Sequence, residues 1–137
     1  MFPPNITINK ADQLRLLELL ATEYKKVAGC KQHFIDLQNE LRRAKLVELG
    51  QVPRDCVTMN SIVRLWDNEN KESQTYTLVY PEYEDIKASR LSILSPIGTA
   101  ILGSRVGDIV SWQVPIGQRH IKIEEVLYQP EREDKVA

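Results

Sequence analysis

The spacing of apolar residues changes once along this chain, near residue 51, and that change limits the fold more than any single motif. Before it, apolar positions recur at three and four. In "ADQLRLLELLATEYKKVAG", Leu17, Leu20, Tyr24 and Val27 form one helical stripe. Asn9 followed three residues later by Asp12 resembles a capping box, with Asp in place of the usual Glu. Gly29 marks a stop. A second stripe follows in "KQHFIDLQNELRRAKLVELG", through Phe34, Leu37, Leu41 and Ala44, and Gly50 ends it. The spacing predicts two helices of similar length joined near residues 28–32, an antiparallel helical hairpin over residues 1–50. Each arm of about 17 residues would be about 25 Å long. One narrow stripe per arm is marginal alone, so the hairpin should lean on the rest of the chain through Leu16, Leu19, Leu46 and Leu49.

After the proline-containing linker "QVPRD" the pattern turns to alternation and β-branched residues. The expected strands are "CVTMNSIVRLW", "SQTYTLVYP", "RLSILS", "IVSWQV" and "HIKIEEVLY". "DNENKE" is a polar turn between the first two, and "PIGQ" a hairpin turn between the last two. Ile121 and Ile123 alternate with His120, Lys122 and Glu124. The expected fold class is α+β: the hairpin over 1–50, then an antiparallel β-sheet domain with one short helix over 51–137. The tail "EREDKVA" is expected to fray.

That short helix lies in residues 95–108, "SPIGTAILGSRVGD". Ser95 is the N-cap, Pro96 takes the first helical position, Gly103 is the stop and "VGD" is a turn. Three glycines invite a phosphate-cradle reading. Neither GxxxxGK nor GxGxxG occurs, so that reading falls.

Charge and composition narrow the function. With 18 basic against 19 acidic residues the formal charge is -1, so no bulk positive field is available for nucleic acid. No direct sequence-specific nucleic-acid binding is expected. No apolar run is long enough to span a bilayer, and no basic-then-apolar secretory start is visible. A cytoplasmic protein without a membrane partner is expected. Cys30 and Cys56 are far apart, and His33 and His120 are isolated. No metal-ligand spacing results. No catalytic residue, metal site or cofactor is expected, and the two thiols are expected reduced.

The second half resembles the C-terminal domain of the Gre transcription elongation factors. The residues that carry this are "NSIVRL" at 60–65, "YTLVYP" at 76–81, "IEEVLY" at 123–128 and above all "SPIGTAILGSRVGDIVSWQVPIG" at 95–117. Within that superfamily the chain also resembles the nucleoside diphosphate kinase regulators, through "VTMNS", "TLVYP", "VLYQP" and the opening "NITIN". The resemblance implies an FKBP-like fold for the globular domain. It implies RNA polymerase as partner, with the globular domain docked at the rim of the secondary channel and the hairpin pointing inward. Regulators with the shorter hairpin are implied to compete with Gre factors rather than cleave transcripts.

Cleavage in that family uses carboxylates at the hairpin tip in a D-x-x-E-N pattern, because Mg²⁺ prefers carboxylate oxygens delivered to the active centre. Here the tip region holds Lys25, Lys26 and Lys31, and Asp36 is followed three residues on by Asn39. Asp36 and Glu40, four apart, read as a solvated helix face. A non-catalytic role follows. Gre-type cleavage is the alternative, and an FKBP-like prolyl isomerase a weaker one, with Trp66, Trp112, Tyr76, Tyr80 and Tyr128 lining its pocket. The resemblance points to Ser95, Pro96, Ile97 and Gly98 as the polymerase contact, flanked by Met59 and Asn60, with Lys25, Lys26, Lys31 and Asp36 at the hairpin tip.

Overall fold

The computed structural model describes residues 6–26, 32–48, 51–114 and 117–130. Its first strand, β1 (Thr7–Asn9), runs directly into α1 (Lys10–Lys26). Asn9 makes the junction: its Oδ1 accepts the Asp12 N–H at 2.8 Å, and its side-chain amide donates to Asp12 Oδ2 at 2.9 Å. This is the expected cap, except that Asp12 returns its bond to the Asn9 side chain. At 17 residues, α1 is about 25 Å long.

The buried face of α1 shares Leu20 with the expected stripe and extends to the side of Leu16. Leu16 and Leu20 are buried, while Leu17 and Leu19 are partly buried beside them. A helix wedged between a second helix and a sheet needs a wider apolar face than a two-helix seam. Tyr24 beyond its backbone, and Val27, Cys30 and Gly29 altogether, lie outside what is described.

The second helix is shorter than its pattern suggests. α2 spans Gln32–Arg43, burying Phe34, Leu37 and Leu41. At Ala44 the chain leaves the helix, and Lys45 N–H donates to the Ile6 carbonyl at 2.7 Å. Residues Lys45–Val47 become β2, parallel to β1, with Ile8 opposite Leu46. A strand partner at the N-terminus thus overrides local helix propensity. It also turns Leu46 outward, at 40% exposure, against the expectation that it packs at the base. Leu16 and Leu19 do pack there, and Leu49 lies outside the described residues. Gln13, early in α1, donates to the Leu41 carbonyl late in α2 at 3.1 Å.

Five further strands form one sheet: β3 (Ile62–Asp67), β4 (Glu72–Val79), β5 (Arg90–Ser92), β6 (Ile109–Val114) and β7 (Gly117–Tyr128), in the order β5-β4-β3-β7-β6. The sheet is mixed, which corrects the expected wholly antiparallel one. β5 runs parallel to β4, because the ten residues between them fold into two 3₁₀ turns, Pro81–Tyr83 and Ile86–Ala88, that return the chain to its starting end. The first expected strand also starts late. Residues 56–61 form a turn, held by Thr58 N–H to Ser61 Oγ at 2.9 Å and by the two hydroxyls at 2.7 Å. Ser and Thr side chains compete for the backbone there.

β7 holds two register shifts against β3. Buried Ile121 and Ile123 are followed by buried Val126, so the spacing changes from two to three across Glu124 and Glu125. Both carboxylates meet Arg64, at 3.4 and 2.7 Å.

One apolar cluster joins the halves, from Ile8, Leu16 and Phe34 through Val63 and Leu65 to Ile123. The proline linker is also held in: Val52 is buried, and the Gln129 amide donates to the Pro53 and Cys56 carbonyls at 2.9 and 2.7 Å. Cys56 is a buried thiol directed at the Gly103 and Thr7 carbonyls.

Candidate functional site

The corner predicted as cap, start and stop folds as read. α3 spans Pro96–Ile101 with Ser95 as N-cap. Ser95 Oγ accepts the Gly98 N–H at 3.0 Å and donates to the Ser92 carbonyl at 2.7 Å. The Ser95 carbonyl takes the Thr99 hydroxyl at 2.6 Å and the Thr99 N–H at 2.9 Å. The Gly98 and Thr99 amides at this helix start are therefore already engaged. What the corner offers a partner is shape.

Two glycines lock it. A Cβ on Gly98 would stand 2.2 Å from the Ser92 carbonyl oxygen. Gly103 has φ +80°, and a Cβ there would stand 2.3 Å from the Ile6 side chain. Only glycine fits either place.

Burial divides the six expected contact residues. Pro96 and Asn60 are exposed, and Ser95 and Ile97 are partly so. Gly98 is buried. Met59 is 3% exposed and belongs to the core, which corrects its placement as a flanking contact: the turn at 56–61 points its side chain inward. Asn60, at φ +66°, is the outward residue of that turn. Its N–H donates to the Leu78 carbonyl at 2.6 Å, while Ile93 N–H donates to the Val79 carbonyl at 2.9 Å. The Asn60 turn and the Ser95 corner thus flank the same end of β4.

Of the tip residues, Lys25 and Lys26 end α1, and Lys31 falls outside the described residues. Asp36 is exposed on α2. Glu40 pairs with Arg43 at 3.2 Å.

Tyr80, Tyr128 and Trp66 do not gather into one pocket, and the Trp112 side chain lies outside what is described. Tyr80 is buried against α1, and Tyr128 is exposed on β7. Trp66 lies on the sheet face opposite buried Leu65, in an open depression with Ile109, His120 and Lys122. His120, expected at an edge, sits within β7 between β3 and β6.

Sequence reasoning missed the joint between α1 and the sheet. Tyr80 Oη donates to Asp12 Oδ1 at 3.2 Å, across 68 residues. The Arg15 guanidinium lies 3.7 Å from the centre of the Tyr80 ring and reaches Glu82 at 3.5 Å. Burial pushes the Asp12 carboxyl above the usual range, and its bonds to Asn9 and Tyr80 oppose this. Burial, then the Asp12 charge, raises the Tyr80 phenol. The sequence signal was the Asn9–Asp12 pair itself, whose second carboxylate oxygen the cap does not use.

A second polar cluster ties the β3–β4 turn to β7. Glu69 accepts the His120 backbone N–H at 2.9 Å, Arg119 Nε at 3.2 Å and His120 Nδ1 at 3.2 Å. These hold its carboxyl down at about 2, the His120 backbone bond foremost.

This fold, a helical pair over a mixed sheet with the capped Ser95 corner, defines a class. The model of the C-terminal part of the transcription elongation factors GreA/GreB matches residues 52–128, and the chain belongs to that family. Among individual proteins, it is 39% identical to the regulator of nucleoside diphosphate kinase of Escherichia coli (strain K12), over 96% of this chain and 95% of that one. It is 35% identical to the transcription elongation factor GreA of Trichlorobacter lovleyi, over 69% of this chain and 60% of that one. In structure it is similar to a prokaryotic transcription elongation factor GreA/GreB from Nitrosomonas europaea, with a TM-score of 0.74 and 37% identity, covering 92% of this chain and 100% of that one.

Proposed function

We propose that this protein is a non-catalytic regulator that binds RNA polymerase at the rim of its secondary channel and competes there with Gre factors. The observation that carries the reading is the Ser95–Ile97 corner. It presents an exposed proline on a frame with internally satisfied hydrogen bonds and two glycines that no other residue can replace. Rigid apolar projections of this kind lose little entropy on docking. Asn60, at the same end of β4, completes the contact.

In this reading α1 and α2 point from the docked domain into the channel mouth. Lys25, Lys26 and Lys31 then meet acidic polymerase surface, and Asp36 lies further down the second arm. The absence of D-x-x-E-N from the sequence supports regulation without cleavage, as does the regulator name of the 39%-identical relative. The protein then acts in the cytoplasm.

Capture of core RNA polymerase by the immobilised protein, challenged with a Gre factor, tests the proposal. Polymerase should be retained and then displaced. Simultaneous, undiminished binding of both factors would refute competition. Backtracked complexes should release 3′ fragments no faster on addition of this protein, and acceleration that Asp36→Ala abolishes would favour the cleavage-factor reading instead.

A further inference from the structure

The two edges of the five-stranded sheet are finished differently. At the β5 edge, outward backbone groups of Arg90 and Ser92 are taken within the chain. Arg90 and Asp85 exchange N–H···O bonds of 2.8 and 3.1 Å, and the Ser92 carbonyl accepts from the Ser95 N–H at 3.0 Å and from its hydroxyl at 2.7 Å. β5 is also only three residues long. Short, self-capped edges of this sort do not recruit further strands.

At the other edge lies β6, with six residues. Ile123 exchanges its bonds with Gly107 and Asp108. Counting in twos along the β6–β7 register, Val110–Ile121 and Trp112–Arg119 are the bonded pairs. Ile109, Ser111 and Gln113 therefore turn their N–H and C=O groups away from β7. Among the described residues no strand pairs with that side. The strand "IVSWQV" has no charge and no proline, and so lacks the residues that usually protect an open edge. Ile109 is 69% exposed beside it.

We infer that the β6 edge is a self-association surface, and that its occupant is β6 of a second copy of this chain. The partner follows from symmetry and charge. Two identical edges related by a two-fold axis pair antiparallel. Because the strand is neutral, that pairing sets no like charges against each other in any register. With the β5 edge closed, the five-stranded sheet has one open edge among the described residues, so pairing through it stops at two chains joined by one continuous sheet. The inference is independent of the polymerase reading.

Sedimentation of the full chain from about 1 µM to about 1 mM tests it by mass action. A reversible monomer–dimer equilibrium is expected, insensitive to added salt because the paired strands are neutral. As the dimer forms, the Ile109 and Ser111 amides should exchange hydrogen more slowly. Ser111→Lys and Ile109→Lys both alter exposed positions, so each should keep the far-ultraviolet spectrum while weakening association about tenfold or more. A monomer across the whole range would overturn the inference. So would a dimer that both substitutions leave intact, or one that salt dissolves.

Discussion

The Ser95 corner and the base of α1 are both helix starts capped by a side chain, yet they are built differently. At the corner, the stabilising hydrogen bonds run between Ser92, Ser95, Gly98 and Thr99, all within eight residues. At the base of α1 the cap is local, but the carboxylate beneath it is held by Tyr80 from the far end of β4. The first arrangement makes a rigid surface feature. The second aligns a helix on a sheet. The proposed docking by one and projection of the other would need both, and they should fail differently.

The largest effects are expected where glycine is obligatory. Gly103→Ala combines a left-handed backbone with a clash against Ile6, and should cost about 3 kcal/mol in urea unfolding. Gly98→Ala pushes α3 off the Ser92 carbonyl and should cost about 2 kcal/mol. If either were neutral, the corner would be softer than described. Tyr80→Phe removes one bond to a half-buried carboxylate and should cost about 1–2 kcal/mol, leaving the corner's amide protection unchanged. Protection lost at both places would mean that they are not separate devices. Ser95→Ala should cost about 1 kcal/mol, with the loss confined to α3.

The smallest effect concerns pH. The Glu69 carboxyl is lowered from 4.5 to about 2 in the folded chain. Its contribution is complete above 4.5 and disappears as pH falls toward about 2. Because the group is exposed, the effect is slight. Glu69→Gln should flatten that part of the acid-unfolding curve and leave stability near neutral pH almost unaltered. An unchanged acid limb would remove Glu69 from the account.

The same contrast explains what could be read from sequence. α3 was readable because its cap, proline and stop glycine all lie close together in sequence, from Ser95 to Gly103. The α1 cap was readable for the same reason. Non-local pairing hid the rest. Nothing in "AKLVELG" announces that Lys45–Val47 will pair with Thr7–Asn9, and the helical pattern ran through it. The parallel placement of β5 depends on two 3₁₀ turns whose sequence resembles an ordinary loop. Met59 was misplaced because a Thr58–Ser61 turn replaced the expected strand. One missed feature did leave a trace: the step of three from Ile123 to Val126 marks the irregularity in β7. For the candidate site, sequence supplied the corner and the outward Asn60. It could not divide exposed Pro96 from buried Gly98, which depends on the packing of α3 against Ser92.

The most direct test of the docking claim is site-specific photocrosslinking to core RNA polymerase. One photoreactive residue would replace Pro96 and another Thr75, an exposed position on β4. The account predicts a polymerase crosslink from position 96 that excess Gre factor suppresses, and none from position 75. Equal crosslinking from both positions, or none from position 96, would contradict it.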